Sequence, residues 1–394
     1  MERQWIRLLS VTLIILTWQL RNGWVPEDTK VQDFIFVDIR EFGFKPIDER
    51  DFRRVPGDAS TMESWDPHVK LAFVADNQLI VYWTRGPKGE VRVSETLVMR
   101  ALIVDPRSGS LTRRVSWPVR KRYSKSDDVE TEGRIFPVKG GHFVVQANYK
   151  LILFSGDFNK LKEVELGSPK DFRFAVYVSP GGDKLLVQRL ERRDRCTFWW
   201  LDSATLEETK AFPAPVYGRD VNSDGGVLPS KKGFYVQEGN RITHIPASDG
   251  PSIICERPEC EHASFIATPL DGGEIGLQTE NAIVIYSSEG VPIWTRATKD
   301  SAGLLDLSSS LDGTTFAVEI EADTQHFDGV DLTRDPVFLV YDAATKKRMF
   351  VGSAPLAWEQ TYSLSPDGSM LAVLHGSVVD IYKTRRDATQ SLPN

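Results

Sequence analysis

One phrase of sequence constrains this chain more than any other: an apolar strand, a Ser-Pro-Asp-Gly turn and a second apolar strand, repeated to the C-terminus. The clearest copy is TYSLSPDGSMLAVLHGSVVDIYK, residues 361–383, where a third apolar strand follows a break at His375-Gly376. Proline presets one turn dihedral and glycine takes the positive φ that another needs, so the phrase encodes a hairpin by a definite mechanism. It returns as AVYVSPGGDKLLVQ (175–188), FIATPLDGGEIGLQ (265–278) and LDLSSSLDGTTFAVEI (305–320). Looser copies are LAFVADNQLIVYW (71–83), FPVKGGHFVVQ (136–146) and VLPSKKGFYVQ (227–237), which makes seven.

The copies keep a common period. Gly141 to Gly182 spans 41 residues, then Gly233, Gly273, Gly313 and Gly368 follow at 51, 40, 40 and 55. Roughly 40–50 residues per four-stranded unit is the period of a β-propeller. Third strands recur in kind as ALIVD105, TFWWLD202, AIVIY286 and VFLVYD342, each leading through a turn-rich stretch to a fourth strand. Two β-sandwiches would also show short strands at even intervals, but they would not repeat one turn-and-strand phrase seven times. A single blade cannot bury both faces of its sheet, so the blades must stack around an axis. The fold expected is all-β: a seven-bladed propeller of four-stranded blades over 31–386, with a polar tail at 387–394. The last blade has only three strands of its own. The strand-like run Val31 to Phe44 (VQDFIFVDIREFGF) has no blade and is expected to supply the fourth, because all-β proteins avoid open edges.

The chain's 394 residues exceed what one undivided core of roughly 250–300 residues supports, which a repeated unit resolves. Hydrophobic residues at 41% and charged residues at 26% fit a globular protein and exclude wholesale disorder. A net charge of −7 disfavours nucleic acid, whose phosphates need a basic field.

Residues 1–24 read as a signal peptide or membrane anchor: Arg3 and Arg7 precede the apolar run Leu8 to Leu20, too short for the roughly 20 residues of a bilayer span. No small-x-small cleavage site follows, which leaves cleavage and tethering both open. Export is the expected localisation, periplasmic or extracellular. The three cysteines are Cys196, Cys255 and Cys260. Cys255 and Cys260 could close a small disulfide loop or stay as thiols, and with His262 they fall short of the four ligands of structural zinc. Cys196 lies in an apolar run and reads as a buried thiol.

The SPDG-type turns and the third strands ending in apolar-Tyr-Asp resemble the YVTN and WD-repeat propellers of bacteria, over nearly all of 65–384. The Gly-His and Trp-Asp pair of the eukaryotic repeat is missing. VDPRSGSLTRRVSW (104–117) is similar to a quinoprotein-like repeat. The chain as a whole resembles exported bacterial propellers, whose architecture is plainer than their activity, and the leading expectation is a non-enzymatic binding scaffold. No Gly-x-Ser-x-Gly elbow, P-loop or HExxH occurs, so no catalytic residue, metal site or cofactor is assigned.

Three segments exceed the compact blade length: 84–99, 189–195 and 321–336, all between second and third strands. In the resembling families that connection lies on the rim where partners bind. The binding residues expected are therefore Arg85 and Lys88, Arg192 and Arg193, and His326, Asp328 and Asp331, gathered on one face for a protein or peptide partner. Alternatives are a small-molecule enzyme at the channel mouth, lactonase-like with a metal or quinone-dependent, and a quinoprotein-like outer-membrane assembly factor. Arg120 to Lys125 is expected as a solvated basic loop.

Overall fold

The computed structural model describes residues 34–44, 69–85, 96–121, 133–147, 149–167, 172–191, 196–212, 227–230, 233–238, 241–246, 252–256, 274–278, 282–287, 290–297, 302–322, 324–327, 330–333, 336–355 and 360–385. Within them the chain forms 29 strands and a single 3-10 turn, Ile39–Phe42. The N-terminal segment 1–24, the tail 387–394, Lys88, Arg192, Arg193, Asp328 and Cys260 lie outside the described residues.

After β1 (Phe34–Asp38), blade 1 is the antiparallel meander β2 (Lys70–Ala75), β3 (Gln78–Arg85), β4 (Thr96–Val104) and β5 (Leu111–Lys121). Blade 2 is β6 (Arg134–Val138), β7 (His142–Ala147), β8 (Lys150–Phe154) and β9 (Lys160–Glu165). Blade 3 comprises β10 (Phe172–Val178), β11 (Lys184–Glu191), β12 (Cys196–Asp202) and β13 (Glu208–Phe212). Blade 4 comprises β14 (Val227–Ser230), β15 (Gly233–Glu238), β16 (Arg241–Pro246) and β17 (Ser252–Glu256). Blade 5 shows β18 (Ile275–Gln278), β19 (Ala282–Tyr286) and β20 (Pro292–Ala297) among the described residues.

Blade 6 is β21 (Ala302–Ser309), β22 (Thr315–Ala322), β25 (Val337–Asp342) and β26 (Arg348–Ser353), with the hairpin β23 (Thr324–Phe327) and β24 (Val330–Thr333) inserted between its middle strands. Blade 7 is β27 (Gln360–Leu364), β28 (Met370–His375) and β29 (Val378–Lys383), completed by β1.

The ring closes as the unassigned run at 31–44 requires. Strand β1 pairs antiparallel with β29, Phe34 opposite Tyr382 through Asp38 opposite Val378. The Asp38 carboxylate then accepts the Arg40 N–H at 2.9 Å, capping the 3-10 turn, and the Ile39 N–H donates to the Ser377 carbonyl at 3.0 Å. That turn carries Ile39, fully buried, and Phe44, whose ring meets Trp83 edge-on at 5.1 Å, into the seam with blade 1.

Among the described residues the buried apolar side chains fall into seven clusters, one at each blade interface. Ala72, Ile80 and Met99 of blade 1 meet Phe143 and Val145 of blade 2. Val144 and Leu151 meet Val176 and Leu185, Phe198 meets Phe234, and Tyr235 meets Ile275 and Leu277. Ile285 packs against Phe316, Phe338 against Tyr362, and Leu374 and Val379 against Phe73 and Val81. Middle strands face a neighbour on both sides, which is why QLIVYW and MLAVLH are continuous apolar runs. Outer strands face solvent at their edge, and β9 reads KLKEVE with every side chain at least partly exposed.

Two expected loops begin as strands among the described residues. Arg189 lies in β11 opposite Thr197, with its Nε donating to Thr197 Oγ1 at 3.3 Å and its guanidinium over the Trp199 ring. Cation–π contact and burial of its alkyl stem keep it in the ladder. Arg120 and Lys121 likewise end β5, paired with Leu97 and Thr96. The third correction is at 321–336, where the insertion forms β23 and β24.

Candidate functional site: the two faces of the ring

The described first-to-second turns lie at one end of the blades, and one side-chain device builds those of blades 3, 6 and 7. Ser365 Oγ donates to Asp367 Oδ1 at 2.7 Å and accepts the Met370 N–H at 2.9 Å. Ser310 does the same with Asp312 and Thr315, and Ser179 with Asp183 and Lys184. The three serines are buried, and the bonds satisfy polar groups that would otherwise cost stability.

These turns also bond to one another. Lys139 N–H donates to the Gly182 carbonyl at 2.9 Å, Gly181 N–H to Leu311 at 2.7 Å, and Asp312 N–H to Pro366 at 3.0 Å. Asp367 N–H completes the series on Asp76 Oδ1 at 3.3 Å. Blades 3 and 6 are not neighbours, so the Gly181–Leu311 bond spans the axis. A cavity of about 890 Å³ remains among the turns, lined by Asp76, Lys139, Asp183, Lys184, Ser230 and Asp312 among others.

The carboxylates of blades 1 and 7 share this face. Burial, and then the Asp367 charge with that of Asp312, raises the Asp76 carboxyl above its ordinary range. Asp367 is likewise half-buried, but hydrogen bonds from Ser365 and Ser369 outweigh that burial and hold it below the usual value. Among the described residues no three His, Cys, Asp or Glu side chains are placed to hold a metal ion.

The second-to-third connections leave from the opposite ends of the strands. Arg85 ends β3 opposite Val98, so the connection after it departs on this second face. The connection from β11 to β12 and the β23–β24 hairpin depart on the same face, in blades 3 and 6. His326 stands directly opposite Asp331 in the hairpin. The structure thus brings His326 and Asp331 together, while Arg85 is two blades away. Cys255 sits in β17 opposite Ile242.

A polar group that sequence reading passed over lies between blades 6 and 7. His375 Nε2 meets Asp380 Oδ2 at 2.9 Å, and Tyr382 OH donates to the same oxygen and to the Ser353 carbonyl, both at 3.3 Å. Burial first, then the Asp380 charge, pushes the Tyr382 phenol above its usual range. Asp380 in the otherwise apolar VVDIY is the signal that could have found it.

The geometry defines a seven-bladed propeller with one face knitted across its axis and the longer connections on the other. No protein-family model matches the sequence, and no curated protein is similar to it. Solved structures are. The protein described as "BBS1N in complex with ARL6DN, soaked with lead" has a TM-score of 0.50 at 11% identity, covering 83% of this chain and 94% of that one. The mercury-soaked crystal of the same complex gives 0.44 at 12% identity, over 82% and 93%. At 11% identity the first of these shows a likeness of fold alone.

Proposed function

We propose that this chain is an exported, non-enzymatic scaffold that holds a protein or peptide partner on the face carrying the second-to-third connections. The observation that carries this reading is the asymmetry of the two faces. One is tied together by hydrogen bonds between turns, and the other bears the two long second-to-third connections, in blades 1 and 6, with the shorter, charged connection of blade 3. Long connections positioned by a rigid frame are where binding residues concentrate. A propeller of the same fold occurs in complex with another protein, which fits such a role.

Arg85, Lys88, Arg192 and Arg193 give this face a basic sector on blades 1 and 3, and Asp328 and Asp331 an acidic one on blade 6. Opposite charges on one rim select a partner by electrostatic complementarity, acting on specificity and encounter rate. Residues 1–24 would carry the chain out of the cytoplasm and, if uncleaved, tether it to the membrane. In this reading the chain belongs with exported bacterial propellers of the YVTN type. The test is affinity capture from the native host with Arg192 and Arg193 changed to Glu: the partner should be lost while the fold is retained. Undiminished capture by that variant would remove the rim from the account.

A further inference from the structure

The insertion of blade 6 is an arm. Ile320 pairs with Val337 inside the blade, and Thr324 pairs with Thr333 in the hairpin, four residues further from the blade on each side. The hairpin β23–β24 is a two-stranded sheet of its own. Neither flanking strand follows it: β21 begins at Ala302, opposite Ala322, and β26 ends at Ser353, opposite Val337. Among the described residues both edges of the arm are open.

Register divides the arm into two faces. Thr324, His326, Asp331 and Thr333 share one, and Gln325, Phe327, Val330 and Leu332 share the other. A two-stranded ribbon with an apolar face is marginal in water and gains most from a third strand. Residues 321–336 hold five carboxylates, Glu321, Asp323, Asp328, Asp331 and Asp335, against the single Arg334. Pairing with the arm of a second copy would set like charges opposite one another, which opposes it. A basic strand meets no such barrier.

We infer that the blade 6 arm takes an extended segment of a partner protein, with Lys or Arg alternating with apolar residues, as an added strand along its edge. Main-chain hydrogen bonds would supply affinity, and alternate side chains the specificity. This rests on the rim reading above and names the chemistry of its partner.

The test uses the full chain and two labelled heptapeptides, Lys-Val-Lys-Val-Lys-Val-Lys and its Glu counterpart, measured by fluorescence anisotropy. The basic peptide should bind, tenfold or more weakly to Asp328→Lys/Asp331→Lys and to Phe327→Thr/Leu332→Thr. It should not bind when residues 323–335 are replaced by Gly-Gly-Ser-Gly, and the acidic peptide should not bind at all. Hydrogen exchange at 324–333 should slow on adding the basic peptide. No binding to the full chain, equal binding of the acidic peptide, equal binding after arm replacement, or indifference to Phe327→Thr/Leu332→Thr each overturns the inference. Failure here is separable from failure of the rim reading. If partner capture survives arm replacement but not Arg192→Glu/Arg193→Glu, the arm is wrong and the rim stands; if it survives both, the rim reading falls as well.

Discussion

Gly181 donates its backbone N–H to the Leu311 carbonyl at 2.7 Å, and those two residues belong to blades that never touch along their sheets. With the Lys139–Gly182, Asp312–Pro366 and Asp367–Asp76 bonds, the contact ties the described turns of blades 1, 2, 3, 6 and 7 into one hydrogen-bonded surface. Turn residues here are therefore constrained twice, by their own hairpin and by a turn of another blade.

That double constraint separates three glycines of similar backbone. Gly141, Gly182 and Gly368 have φ of +70°, +69° and +69°. A Cβ on Gly141 meets nothing within 4 Å. On Gly182 it would lie 2.7 Å from the Lys139 nitrogen and 2.9 Å from Leu311 Cδ1, and on Gly368 2.3 Å from Thr315 Oγ1. Gly141→Ala should cost roughly 1–2 kcal/mol from the left-handed backbone alone. Gly182→Ala and Gly368→Ala should cost at least about 1 kcal/mol more from overpacking. Urea melts of the three variants measure the difference.

Closure by β1 gives a larger effect. Val37 and Ile39 are buried in the seam between blades 7 and 1, each contributing about 1.5–3 kcal/mol as a fully buried aliphatic side chain. Removing residues 1–45 takes both away and leaves the β29 edge bare. The melting temperature should fall by more than about 10 °C, since about 1 kcal/mol shifts the midpoint of a large domain by about 2–4 °C. Calorimetry of the truncated chain checks this.

The Asp76–Asp367 pair predicts opposite responses to neutralisation. A carboxyl raised above its unfolded value costs stability once ionised, and that cost disappears as pH falls through its folded pKa. A lowered one contributes stability above its unfolded value and loses it as pH falls through the folded pKa. Asp76→Asn keeps an oxygen for the Asp367 N–H and should leave the chain at least as stable at pH 7. Asp367→Asn weakens the bonds from Ser365 and Ser369 and should cost about 1 kcal/mol at pH 7, less below pH 4. Thermal melts between pH 3 and 7 distinguish the two.

The fold was legible because each blade repeats one local grammar, apolar run, tight polar turn, apolar run, and local grammar survives without homologues. Even the closing strand could be read, since the three strands of 361–383 needed a partner and Phe34 to Asp38 had none. Turn-to-turn contacts were not legible, because Gly181 and Leu311 are joined by ring geometry rather than by any motif they share. The arm was missed for a different reason. Thr324 to Thr333 brackets Asp328-Gly329, which is a hairpin signal, but its excess over the compact blade length made it read as a loop. Arg189 was misplaced by the charge of its neighbours, although its register against Thr197 keeps it in the sheet.

The choice between the two faces is tested most directly by photo-crosslinking in the native host. A benzophenone amino acid would replace Lys88, Arg192 or Asp328 on one face, and Lys139 or Asp312 on the other. The account predicts adducts to one and the same partner from the first three positions and none from the last two. A partner captured through Lys139 or Asp312, with nothing at Lys88, Arg192 or Asp328, would contradict it.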